Sequence, residues 1–216
     1  MSLSPTAKYK IRPTRPAMVV VALVLIAALS FPLRDVLYSG ISGVVVSSSL
    51  LSAIVIFCSD ALLKLLVLGA VALTITCWFR DRPPFLSLAS GGIGAGIGYV
   101  LSELIKAIFR EERPCNSLDV LTAMACPASG DWSWPSNHSV VAAAIATACT
   151  LVVPKLAKYA IPLAIVIGLS RVGVGAHYFH DVVSGLALGT LSVIIAVKVL
   201  PELLQKLVPA RYWVSL

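Results

Sequence analysis

Residues 170–181 read SRVGVGAHYFHD and sit between two long apolar runs. The stretch holds an arginine, two histidines and an aspartate. Ionisable groups at the edge of a membrane span are costly to keep, so they mark a functional site. His177 and Asp181 are four apart in the sequence. On a helix they share a face, where a carboxylate can hold one imidazole nitrogen while the other attacks an electrophile. Arg171 precedes His177, with Gly173 and Gly175 between them; the pattern predicts a helix end, a turn and a fresh helix start. Two earlier stretches carry related chemistry. One is KAIFREERP, with Lys106 and Arg113 seven apart, and the other is PSNH at residues 135–138, just before a new apolar run.

Taken in order, K-x6-RP, PSNH and SR-x5-H-x3-D resemble the signature of the type 2 phosphatidic acid phosphatase (lipid phosphate phosphatase) superfamily. That family's pattern is K-x6-RP, PSGH, SR-x5-H-x3-D, and the one departure is Asn137, where the family usually has glycine. Each piece alone is weak, but three in order at these spacings are specific. The resemblance implies a role for each matching residue. His177 attacks phosphorus and forms a phosphohistidine, Asp181 holds it in the reactive tautomer, and His138 protonates the departing oxygen. Lys106, Arg113 and Arg171 bind the phosphoryl oxygens, and Ser136 donates its hydroxyl. Asn137 belongs to the same phosphate-binding turn; asparagine tolerates the left-handed conformation that glycine would allow, and adds an amide donor. Three cations do the work that a metal would otherwise do, so neither metal nor cofactor is expected.

The elements that must position these residues are set by composition. The chain has 216 residues, 58% of them hydrophobic and 12% charged, with a mean hydropathy of +0.94. The apolar runs are continuous, which predicts an all-α polytopic membrane protein rather than a β-barrel. The net charge of +7 sits mainly between apolar runs, as topology determinants do, so nucleic-acid binding is excluded. A single membrane-embedded domain over residues 1–216 is expected. It has a basic N-terminus at 1–16, an extracytoplasmic loop at 110–134 and a tail at 201–216. The spacing predicts six spans, near residues 17–33, 61–79, 85–109, 135–153, 159–171 and 181–200. Residues 34–59, rich in Ser, Gly and Val, read as an interfacial or re-entrant segment. Glycines at 91, 92, 94, 96 and 98 permit close helix contacts.

Of the 17 Lys and Arg residues, all but Arg34, Lys64, Lys106, Arg110, Arg113 and Arg171 fall on one side if the N-terminus is inside. Both termini are therefore expected in the cytoplasm, and all three motifs on the extracytoplasmic face of the cell membrane. Cys115 and Cys126 share the outer loop, where an oxidising compartment would allow a disulfide. His180 reads as a bystander facing headgroups, and Glu103, Glu111 and Glu112 as ion-pair partners. Trp132, Trp134, Tyr178 and Trp213 read as an aromatic belt, with Trp132 and Trp134 also able to line a lipid entrance.

The resemblance implies an enzyme whose partners are the bilayer and a lipid phosphate or diphosphate. The compact chain is similar to the bacterial branch that hydrolyses undecaprenyl diphosphate. Phosphatidylglycerophosphate or phosphatidic acid is the alternative substrate, and a phosphorylated polyprenyl-sugar lipid a third. A non-enzymatic lipid or anion carrier is the rival class, but carriers usually show an internal repeat, and none is evident between the halves.

Overall fold

The apolar runs fold as helices, and no strand occurs among the described residues. The computed structural model of the protein describes residues 14–80, 82–118 and 120–207. The expected cytoplasmic residues Lys8, Lys10 and Arg12, Asp81 of the charged turn, and Arg211 and Trp213 of the tail lie outside the described residues.

Helix α1 (Thr14–Ser30) passes through a short 3-10 turn (Phe31–Leu33) into α2 (Arg34–Val46). Two long helices follow, α3 (Ser49–Arg80) and α4 (Arg82–Phe109), and then a loop that contains one helical turn, α5 (Pro114–Ser117). Helices α6 (Asn137–Val152), α7 (Ala157–Gly173) and α8 (Phe179–Leu207) complete the bundle. Five stretches are long and apolar enough to cross a membrane: Ala17–Val46, Ser49–Arg80, Pro83–Ser117, Pro154–Gly173 and Phe179–Pro201. The remaining expected span, 135–153, forms the shorter apolar helix α6. At 1.5 Å per residue its 16 residues cover only about 24 Å. Helix α6 lies at the centre of the bundle, packed against α3, α4, α7 and α8, and Ala142, Ala144 and Ala146 on it are buried. A helix sheathed by its neighbours has no need to match the hydrocarbon thickness.

Residues 34–59 are helical apart from a break at 47–48. They form α2 and the first part of α3, so the second apolar crossing starts at Ser49 and not near residue 61. The serines that made this stretch read as mixed are absorbed locally. Ser42 Oγ donates to the Tyr38 carbonyl at 2.8 Å and Ser52 Oγ to the Val45 carbonyl at 3.0 Å. Such back-bonding satisfies a hydroxyl inside an apolar bundle. Tyr38 is fully buried, and its hydroxyl donates to the Gly175 carbonyl at 3.1 Å. Helix α2 therefore braces the turn that carries His177.

Small residues set the close approaches. A Cβ added at Gly94 would lie 2.7 Å from Ala196 Cβ, and one at Gly98 would lie 2.7 Å from Ser192 Oγ, so α4 rests directly on α8. Gly92 and Gly96 meet nothing. Only one face of the predicted glycine run is a packing face.

Candidate active site

The turn between α7 and α8 is built to present His177. Helix α7 stops at Gly173, and Gly175 adopts a positive φ of 92°, which favours glycine. Ala176 and His177 then turn their backbone amides onto the Arg171 carbonyl, at 3.0 and 3.2 Å. Helix α8 begins two residues later at Phe179, so His177 and Asp181 do not share a helix. They meet across its first turn, because Asp181 reaches back. Asp181 Oδ2 accepts the Tyr178 amide at 2.8 Å, which caps the helix, and lies 3.4 Å from His177 Nδ1. One carboxylate thus serves both as cap and as histidine partner.

Ser133, which no sequence motif singled out, fills the space between them. Its hydroxyl donates to Asp181 Oδ2 in a short bond and lies 3.3 Å from His177 Nδ1. The ring therefore has acceptors at Nδ1 and a cation at Nε2, where Arg113 Nη1 approaches to 3.0 Å. From these neighbours we assign the proton to Nδ1 and the lone pair to Nε2. Burial pushes the His177 pKa well below its ordinary value of 6.5, and Arg113, Arg171 and Lys106 push it in the same direction. A neutral, directed imidazole is the nucleophilic form.

The other predicted residues gather around this ring at one end of the bundle. Arg113 caps α5 and is buried; its Nη1 also donates to the Ala176 carbonyl at 2.9 Å. Its Nε and Nη2 donate to the Asp131 carbonyl and carboxylate, at 2.7 and 2.9 Å. Asp131 was not visible as a partner in the sequence, since it lies 18 residues on in an irregular loop. Lys106 stands in the last turn of α4, only 5% exposed, with its ammonium 3.1 Å from Glu103. Arg171 lies in the last turn of α7, and its Nη1 donates to Ser59 Oγ of α3 at 2.6 Å. Its buried Nε has no hydrogen-bond partner among the described residues, and neither has the buried Ser136 Oγ. Ser136 is the N-cap of α6, whose first amides have no intrahelical acceptor, and His138 lies in its first turn. Lys106, Arg113, Arg171 and His138 all lie close enough to the His177 ring to act on it electrostatically.

Asn137 behaves differently from expectation. It is a helical residue and not left-handed, since Arg110 is the non-glycine residue with positive φ among the described residues. Its side chain turns to α4: Nδ2 donates to Glu103, and Oδ1 accepts from Ser102 at 2.6 Å. One of its two side-chain N–H groups is engaged there, together with the carbonyl oxygen. Two further readings change. His180 is 3% exposed and does not face headgroups; it lies between Glu111 and Asp181. Tyr178 is 2% exposed and belongs to the core beneath the site with Tyr38, Val172 and Val182, not to a belt. Glu111 and Glu103 do form ion pairs, with Arg34 at 2.9 Å and Lys106 at 3.1 Å. Cys115 and Cys126 are joined by a disulfide, with their Cα atoms 5.8 Å apart.

Glu111, His180 and Asp181 place potential metal-ligand atoms within 4.8 Å of one another. His180 Nε2 hydrogen-bonds Glu111 Oε2 at 3.2 Å and lies 3.1 Å from Asp181 Oδ1, which is buried with no hydrogen-bond partner among the described residues. Beside this cluster an apolar groove of about 750 Å³ runs between α1, α4 and α8. Val24, Ala27, Phe109, Ala187 and Leu188 line it, and Arg34, Glu111, Trp134 and His180 form its polar end. Trp134, expected at a lipid entrance, thus stands at this opening, held by an indole N–H that donates to Ser184 Oγ at 2.9 Å.

The profile of the PAP2 superfamily matches residues 61–204, which include all three motifs. The chain belongs to the PAP2 superfamily. It is 27% identical over 155 residues to the undecaprenyl-diphosphatase BcrC of Bacillus subtilis, covering 72% of this chain and 78% of that one. A lipid A 1-phosphatase of Rhizobium johnstonii is 38% identical over 93 residues, which is 42% of this chain. That match spans 38% of the relative, so the chain covers less than half of its length. Among solved structures, the transmembrane PAP2-type phosphatidylglycerolphosphate phosphatase of Bacillus subtilis has the same fold. Its TM-score is 0.59 at 19% identity, covering 90% of this chain and 98% of that one. With its apolar helices, this PAP2 protein is a multi-pass membrane protein.

Proposed function

We propose that this PAP2 protein is a lipid phosphatase that hydrolyses a polyprenyl diphosphate of the undecaprenyl type to the monophosphate. The carrying observation is a juxtaposition. Arg113 lies against His177 Nε2, Arg171 and Lys106 act on the same ring electrostatically, and an apolar groove opens beside the cluster. The first part supports phosphoryl transfer, which needs positioned positive charge around the transferring group. The second supports a substrate with a long apolar tail. The similarity to an undecaprenyl-diphosphatase supports the choice of tail.

In this reading His177 Nε2 attacks the terminal phosphorus. The bond from phosphorus to the bridging oxygen breaks, and His138 protonates that oxygen as polyprenyl monophosphate leaves. The phosphohistidine is then attacked by water, with His138 taking the water proton and inorganic phosphate departing. Lys106, Arg113, Arg171, Ser136 and the first amides of α6 hold the equatorial oxygens throughout. Ser133 and Asp181 keep the proton on Nδ1. Six crossings are included in the reading, with α6 as the central one. Both termini lie in the cytoplasm, and the site is on the extracytoplasmic face of the plasma membrane.

Phosphate release by detergent-purified protein tests this, with undecaprenyl diphosphate, phosphatidylglycerophosphate and phosphatidic acid side by side. The expected outcome is preference for the diphosphate, no loss in chelator, and a fall of at least about a thousandfold for His177→Ala. Preference for a glycerolipid would reassign the substrate, and loss in chelator with recovery on a divalent ion would remove metal independence. Release by His177→Ala at the wild-type rate would end the phosphatase assignment of this site.

A further inference from the structure

A polyprenyl diphosphate brings two phosphates to the protein, and the groups gathered near His177 account for one of them. In the proposed reaction Lys106, Arg113, Arg171, Ser136 and the first amides of α6 are all assigned to the terminal phosphoryl. With the tail in the groove and the terminal phosphorus at His177, the inner phosphate falls between them, at the polar end of the groove. That end adjoins the catalytic cluster. Pro135, which lines it, directly precedes Ser136. Glu111, which also lines it, accepts the Ser133 amide on its carbonyl at 2.8 Å, and the Ser133 hydroxyl lies 3.3 Å from His177 Nδ1. An inner phosphate there is charged and needs a cationic donor. Among the described residues, Arg34 is the only lysine or arginine that lines the groove.

The Arg34 guanidinium is fixed in that place from several sides. It lies over the Phe31 ring, 5.0 Å from the centroid, and over the Tyr178 ring at 5.3 Å. Tyr178 directly follows His177 in the chain. Nη1 donates to Glu111 Oε1 at 2.9 Å, and Nε lies 3.7 Å from Asp35. The side chain is nonetheless 37% exposed, and Nη2 has no partner among the described residues. Glu111 does not depend on Arg34 alone, since its Oε2 bonds His180 Nε2 at 3.2 Å. A phosphate can therefore share the guanidinium with Glu111. We propose that Arg34 is the subsite for the inner phosphate of a polyprenyl diphosphate, binding its non-bridging oxygens and favouring a diphosphate headgroup over a monophosphate. This rests on the polyprenyl-diphosphatase reading above and deepens it. The inner phosphate belongs to the leaving group, so Arg34 also stabilises the charge that builds there as the bridging oxygen departs.

The test reads binding beside turnover. Two non-hydrolysable ligands with one tail are compared, farnesyl phosphonate and farnesyl methylenediphosphonate, and their dissociation constants are measured by calorimetry on the full chain in detergent. Phosphate release from undecaprenyl diphosphate is followed for the same variants. Arg34→Gln is expected to weaken the diphosphonate by about tenfold or more and the phosphonate by less than about twofold, with kcat/KM falling by about tenfold or more. Arg34→Lys keeps a point charge without the fork, and its preference for the diphosphonate is expected to fall by about threefold. Glu111→Gln keeps an acceptor for Arg34 but removes the charge, and is expected to bind the diphosphonate at least as tightly as wild type does. Unchanged diphosphonate binding in Arg34→Gln would overturn the proposal, and so would equal losses for both ligands. A loss in Glu111→Gln as large as that in Arg34→Gln would also overturn it, leaving Arg34 as half of an ion pair. If Arg34→Gln does not fold, Arg34→Lys decides, and a wild-type preference there counts against the subsite. Failure of the wild type to bind the diphosphonate would overturn the proposal outright. Absent phosphate release with an Arg34-dependent preference for the diphosphonate would fall on the phosphatase reading instead, so the two failures are distinguishable.

Discussion

The two nitrogens of His177 face opposite chemistry, and this makes its titration informative. Nδ1 faces Ser133 and Asp181, and Nε2 faces Arg113. Burial and three cations hold the folded pKa below the ordinary 6.5, so the imidazole stays neutral as pH falls through the range where a free histidine would gain a proton. In the proposed reaction the neutral form is the nucleophile, so activity is expected above the folded pKa and lost as pH falls through it. The acid limb of kcat/KM, which reports the free enzyme, is therefore expected to lie well below pH 6.5. A limb at or above that value would mean that the cations do not act on this ring. Asn137 makes a second residue-scale case. Its amide bonds Glu103 and Ser102, a bridge between α6 and α4. Asn137→Gly is expected to keep kcat within about threefold while lowering thermal stability by about 1–2 kcal/mol, the worth of its hydrogen bonds. A large fall in kcat with stability unchanged would return the side chain to the phosphate.

Among the elements, α8 and α6 approach more closely than any side chain would permit. A Cβ at Gly189 would collide with the Val140 carbonyl, and one at Gly185 would lie 2.8 Å from Ser139 Cβ, next to the turn carrying Ser136 and His138. Gly189→Val is therefore expected to cost several kcal/mol or abolish folding, while Gly92→Val, which meets nothing within 4 Å, leaves the melting temperature near wild type. Melting curves in detergent compare them, and equal melting temperatures would contradict the close packing. The sequence made the apolar crossings and three motifs legible because each is a local pattern: a run, a spacing, a cap. It did not reveal helix α2 or the start of α3. Serines at 42, 52 and 59 read as polar, yet they bond to Tyr38 and Val45 carbonyls and to Arg171. Ser133, Asp131 and Ser59 escaped for a related reason. Their partners lie far along the chain, and a lone serine or aspartate in a loop or helix carries no periodic signal.

At the scale of the whole molecule, the groove is a product of assembly. Val24 and Ala27 come from α1, Phe109 from α4, and Ala187 and Leu188 from α8, and no stretch of sequence announces that they will share a wall. The groove places an apolar lining next to a polar end formed by Arg34, Glu111 and His180, the last bonded to Glu111. If the groove holds the lipid tail, then filling it should penalise long substrates and spare short ones, because only the long tail gains binding free energy there. Ala187 is small and buried, and a tryptophan at that position would project into about 750 Å³ of groove. Ala187→Trp is expected to lower kcat/KM for undecaprenyl diphosphate by about tenfold, and that for geranyl diphosphate by less than about twofold. A series of prenyl diphosphates of rising length would locate where the penalty begins. Equal losses at every length would mean that the substitution disturbs α8 and the site it carries. No loss at any length would place the tail outside this groove.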